Sequence, residues 1–104
     1  MSTFYILRYL VVDDYVNRRA PYRAEHLALT HELSESGLLL LGGAVGEPSD
    51  SAVLVFRCPL QEVERFVESD PYVQNGVVES YTIQPWHVVT GLCYEKVACN
   101  DKTS

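Results

Sequence analysis

The chain has 104 residues, 47% of them hydrophobic, with 14 acidic side chains against 8 basic ones and a formal charge of −6. That length suits one domain with a modest core, and the composition is that of an ordinary globular protein rather than a disordered one. The acidity, with no basic stripe to offset it, argues against a nucleic-acid partner.

No apolar run approaches the roughly 20 residues that a membrane span needs. The opening MSTFYILRYLVV lacks the basic n-region and small-residue cleavage site of a signal peptide. Cys58, Cys93 and Cys99 are odd in number and follow no CxxC or Cys/His metal spacing, so plain thiols in a reducing cytoplasm are expected.

Residues 4–12, FYILRYLVV, are rich in β-branched and aromatic types and predict a strand buried on both faces or nearly so. Arg8 interrupts it and must reach a rim or serve a pocket. Residues 13–20 form a polar connection with room for a helical turn. Pro21 fits the first position of a helix, which runs to about Ser36 and stops at Gly37. Residues 38–46, LLLLGGAVG, predict a second strand that loosens at Gly42 and Gly43. The turn cluster EPSDS follows, then a third strand over 52–58 that should pair antiparallel with the second. Pro59 opens a second helix, with Leu60, Val63, Phe66 and Val67 on its apolar face. Pro71 ends it near Ser69 or Asp70. Residues 77–88 predict a fourth strand whose far end Pro85 confines to an edge or an exit.

The order β-α-β-β-α-β is that of an α+β, ferredoxin-like sandwich, a four-stranded antiparallel sheet with both helices on one face. Its bare face invites a second copy, so a homodimer through the sheet faces is expected. Residues 1–91 form this domain; residues 92–104 are an extension whose structure the sequence does not decide.

The first helix carries His26 and His31, which at 100° per residue point roughly 140° apart. They cannot both line one site, and they lack the i, i+4 spacing of a helical zinc pair. Glu25, Ala28, Glu32 and Glu35 mark the wet side. Tyr22, Leu29 and Leu33 mark the inner side, and His26 falls among them; His31 reads as a surface residue. Arg19, Arg23 and His26 follow at i, i+4 and i+7, either a solvated rim or an anion grip beside a general base. Pro21 leaves open whether Arg19 shares the helix.

Asp70 can be a simple helix stop. Side-by-side antiparallel helices, however, bring the end of the second towards the first half of the first, and so Asp70 towards His26, where a carboxylate would orient the imidazole.

Four stretches, RRAPYRAEHL (18–27), GLLLLGGA (37–44), SDPYVQNGVV (69–78) and QPWHVVTG (84–91), resemble the YciI-like (YCII-related) family of small proteins. The resemblance implies a dimeric α/β barrel of the ferredoxin-like type, with a histidine–aspartate pair as its active site. By motif position that pair is His26 and Asp70, with Arg19 and Arg23 as the upstream arginines and Gly43 as the glycine after the second strand. Ala44 stands where the family has proline. Members with assigned chemistry look like small lyases acting on substituted aromatic rings.

Three functions follow from these residues. The first is a cofactor-free enzyme of lyase or isomerase type. In it His26, oriented by Asp70, is a general base on a small anionic or phenolic substrate, Arg23 and Arg19 hold its oxygen, and Tyr72 and Trp86 serve as aromatic pocket walls. The second is a dimer that binds a small molecule without turnover. The third is a structural dimer in which the pair only locks the packing. A metal is not expected, because one histidine and one aspartate fall two ligands short of a closed zinc shell.

Overall fold

In the computed structural model, which describes residues 4–91, the opening apolar run forms β1, Phe4–Val11. A helical turn, α1 (Tyr15–Arg18), and a 3-10 turn, Ala20–Tyr22, lead into α2, Arg23–Glu35. Strands β2 (Leu39–Val45) and β3 (Ser51–Arg57) follow. The chain then passes through α3 (Leu60–Ser69) and the one-turn α4 (Pro71–Gln74) to β4, Val78–Trp86. The four strands make one antiparallel sheet in the order β2-β3-β1-β4. This is the expected ferredoxin-like α+β arrangement. The extension from residue 92, with Cys93 and Cys99, lies outside the described residues.

Strand alternation decides what faces the helices. Leu7, Tyr9 and Val11 of β1 are buried with Ala52, Leu54 and Phe56 of β3 and with Val63, Phe66 and Val67 of α3. Each of these large apolar side chains contributes roughly 1.5–3 kcal/mol by leaving water. Leu29 and Leu33 of α2 pack against the same cluster, so both long helices lie on one face. Arg8 points the other way: it stands exposed in the middle of β1, between Val53 and Thr82 on the sheet face opposite the helices, neither at a rim nor in the cavity between α2 and the sheet. Pro85 lies on β4, an edge strand of the sheet, where its missing N–H leaves no bond unmade on the outer side.

One boundary differs from expectation. Pro21 does not open α2; it sits in the preceding 3-10 turn, and the α-helix begins at Arg23 with Tyr22 before it. The other end is as the glycine requires. Gly37 takes φ +80°, its N–H bonds the Ser34 carbonyl at 3.0 Å, and the Leu38 N–H bonds the Leu33 carbonyl at 3.0 Å, a Schellman stop.

Candidate active site

Pro71 stops α3 by forcing Asp70 out of helical geometry, to φ −72° and ψ 118°. The same conformation makes Asp70 the N-cap of α4, where its Oδ1 accepts the Tyr72 N–H at 3.0 Å. The carboxylate is fully buried. It meets His26 Nδ1 at 2.8 Å through Oδ1 and accepts the Tyr9 hydroxyl at 2.7 Å through Oδ2. An ionised carboxylate only accepts, so the proton in the imidazole contact sits on His26 Nδ1. Nε2 is then the ring nitrogen free to act on a ligand, as an acceptor or base.

The imidazole is fixed by packing as well. It lies flat on the Tyr72 ring, centroids 3.8 Å apart and planes 6° from parallel, and the edge contact to Phe66 spans 6.3 Å. Tyr15 meets Tyr72 edge-on at 6.1 Å. The Tyr9 phenol is pushed above its ordinary range by burial first, then by the Asp70 charge and the hydrogen bond to it, so it stays a donor. Burial pushes the Tyr72 phenol up, with Tyr15 adding to the rise, while Arg19 and Arg23 oppose it. Burial first, and then the Glu62 charge, raise the thiol of Cys58, which disfavours its thiolate.

His26 and Tyr72 border a cavity of about 350 Å³ between α2 and the sheet. Small residues make the room. Gly42, Ala44 and Ala52 line it with little or no side chain, and a Cβ on Gly42 would already stand 3.1 Å from Leu54. Gly43 also borders the cavity, and the space beyond its backbone is open. Arg23, from the first turn of α2, and Arg19 reach the same cavity. Arg19 lies outside α2, between α1 and the 3-10 turn, with its guanidinium 4.8 Å over the Tyr15 ring.

Of the residues expected from sequence, the structure brings together His26, Asp70, Arg19, Arg23, Tyr72 and Gly43. Trp86 is elsewhere. It pairs with Phe4 at the end of β4, on the face opposite Leu7 and Tyr9; it is 46% exposed and does not border this cavity. His31 is exposed as expected, yet it stands on the cavity border with His26. The expectation that the two histidines cannot line one site therefore fails: the cavity extends along α2 far enough to meet both. Tyr9 was missed. Alternation from the exposed Arg8 turns Tyr9 inward, where its hydroxyl needs a partner, and that was the available signal.

Among the described residues no three His, Cys, Asp or Glu side chains gather in a metal-binding group, and no helix is long and apolar enough to cross a membrane.

No curated protein matches this sequence significantly. Among solved structures, the chain is similar to the 5-chloro-2-hydroxyhydroquinone dehydrochlorinase TftG from Burkholderia phenoliruptrix AC1100, in complex with 2,5-dihydroxybenzoquinone. The TM-score is 0.70 at 19% identity, covering 83% of this chain and 95% of that one. At that identity the likeness establishes the fold. The YCII-related domain model matches residues 3–87, most of the sequence, and the chain belongs to the YCII-related family.

Proposed function

We propose that this protein is a small cofactor-free enzyme in which His26 Nε2 is a general base on a small phenolic or anionic ring, in a lyase- or isomerase-type reaction. The observation that carries the reading is the 2.8 Å contact from His26 Nδ1 to a buried carboxylate whose other bonds are all made by protein donors. Held in this way, the carboxylate caps α4 and is placed to orient the imidazole, as in other histidine–carboxylate pairs. His26 removes a proton from a phenolic O–H or from a carbon beside a carbonyl. The released pair forms the new double bond, and a ring substituent leaves with its own bonding pair, so HX is lost overall. In an isomerisation the proton returns at another carbon instead. Arg23 and Arg19 hold the oxygen on which charge develops. The dehydrochlorinase of the same fold, held with a dihydroxybenzoquinone, supports an oxygenated ring as the substrate class.

The test is halide release from chlorinated hydroxyhydroquinones, with 2,5-dihydroxybenzoquinone as the binding probe. His26→Asn is expected to lower turnover by roughly 10²–10⁴-fold and to keep most of the probe affinity. Absence of turnover across the panel, with probe affinity lost in the same variant, would leave only a binding module. A large loss of stability in His26→Asn with no ligand bound at all would reduce the pair to a packing lock.

The same reading takes the protein as a cytoplasmic homodimer joined through the sheet face opposite the helices. Leu10, Val45 and Trp86, each about half exposed, stand on that face. Sedimentation at micromolar concentration checks it: a dimer that Leu10→Lys converts to monomer is expected, and a monomeric wild type refutes it.

A further inference from the structure

The Tyr72 hydroxyl is a buried polar group of the cavity that the site described so far leaves idle. Tyr72 is 2% exposed, and its hydroxyl proton finds no acceptor among the described residues. A buried hydroxyl without a partner costs stability and calls for an explanation. The charged groups that act on it are Arg19 and Arg23, and both border the cavity with it. Arg23 stands close enough to the phenolic oxygen to draw the phenol's pKa down, through its charge and through a side-chain hydrogen-bond interaction. A guanidinium can only donate, so the phenolic proton still lacks an acceptor. This end of the cavity therefore presents two cations and an uncommitted O–H, a pole made of donors. Beside it the ring of His26 lies on the ring of Tyr72, so the donor pole and the base share one wall.

We infer that Tyr72 is a substrate-binding residue whose hydroxyl, together with Arg23 and Arg19, donates to an anionic oxygen on the substrate ring. The substrate thus carries a carboxylate or an ionised phenol or enol at that position, in addition to the group from which His26 takes a proton. The assignment rests on the proposed base role of His26 only for the direction of the chemistry; the donor pole stands on its own geometry. It also has a cost built in. The hydroxyl is kept for the ligand at the expense of the empty protein, so its removal should hurt binding without hurting the fold.

Three probes of similar size separate the possibilities: benzoate for a carboxylate, 4-nitrophenol for an ionised phenol, and benzamide as the neutral control. Wild type is expected to bind at least one anion roughly tenfold or more tightly than benzamide. If the phenolate is the preferred form, bound 4-nitrophenol shows its yellow anion at a pH where the free probe is mostly protonated. Tyr72→Phe is expected to weaken the preferred anion by roughly ten- to a hundredfold and to leave benzamide unchanged. The melting temperature of that variant should equal or exceed the wild-type value. Arg23→Gln, at an exposed position, should weaken the same anion without loss of fold.

The inference is overturned if wild type binds the neutral probe as well as the anions, or if neither Tyr72→Phe nor Arg23→Gln weakens anion binding. It is equally overturned if Tyr72→Phe lowers the melting temperature and weakens all three probes alike. His26→Asn keeps the two proposals apart. Preserved anion preference with full turnover in that variant would sink the base and spare Tyr72; lost turnover with an unaffected Tyr72→Phe would do the reverse.

Discussion

Asp70 shows how much one buried charge can organise. Burying an unpaired carboxylate would be prohibitive, and here three donors from three parts of the chain make it tolerable: the Tyr9 hydroxyl, the Tyr72 backbone N–H and His26 Nδ1. Tyr9→Phe removes one of them and leaves Oδ2 buried without its donor, so a loss of roughly 1–3 kcal/mol is expected in chemical denaturation at neutral pH. The pH dependence has a definite sign. In the folded chain the Tyr9 phenol is held above its ordinary pKa of 10.0, by burial first and then by Asp70, whereas in the unfolded chain it ionises near 10.0. Its contribution is therefore complete below about pH 10 and is lost as the pH rises beyond it. Wild type should weaken steadily under alkaline titration of stability, and Tyr9→Phe should show a shallower decline. Equal slopes would mean that Tyr9 plays no part. Tyr72 and Cys58, raised in the same direction, contribute to the slope that remains.

At the scale of the element, α4 matters more than its four residues suggest. It is clamped at both ends. Asp70 caps its start, and Gly76, at φ +72°, closes its end through Gly76 N–H to the Val73 carbonyl at 3.3 Å and Val77 N–H to the Tyr72 carbonyl at 2.9 Å. The clamp fixes Asp70 and Tyr72 relative to each other, and both touch His26. Gly76→Ala meets no neighbour within 4 Å, so its cost is backbone strain alone, roughly 1–2 kcal/mol. Gly43→Ala also has open space but no left-handed backbone to strain, and is expected to be near neutral. A melting comparison of the two variants checks the difference.

The punctuation of this element was legible in the sequence: Pro71 predicted the stop, and antiparallel helices predicted that Asp70 would approach His26. That the same aspartate would also start a new helix was not read. Nor was the start of α2, because Pro21 satisfies the first turn of a 3-10 helix as well as that of an α-helix.

Across the whole molecule, what the sequence revealed and what it hid divide by range. Helix faces follow a local period, so the exposed Glu25, Glu32 and Glu35 and the half-buried Leu29 and Leu33 could be assigned directly. The cavity floor could not, because it depends on pairing between strands. Ala44 lies opposite Ala52, and Gly42 opposite Leu54, only after the register shift between Leu39 and Leu41. Trp86 failed for the same reason: its pairing with Phe4 decides its face, and nothing within QPWHV reveals that pairing. The strand order β2-β3-β1-β4 did follow from two split βαβ units, whose connections leave few alternatives. The net acidity lies outside the site, whose cavity is bordered by Arg19 and Arg23 within a chain of charge −6. An anionic ligand is therefore drawn to one place rather than to the surface at large.

The hydrogen bonds that converge on Asp70 join residues 61 and 44 positions apart in the chain. No fragment of the protein can form that centre early and wait for the rest. Occupancy of the cavity is thus linked to the folding equilibrium of the entire domain: a ligand present at a hundred times its dissociation constant adds about 2.7 kcal/mol to that equilibrium. The natural substrate should announce itself as a rise in the melting temperature of the whole chain, before any product is known.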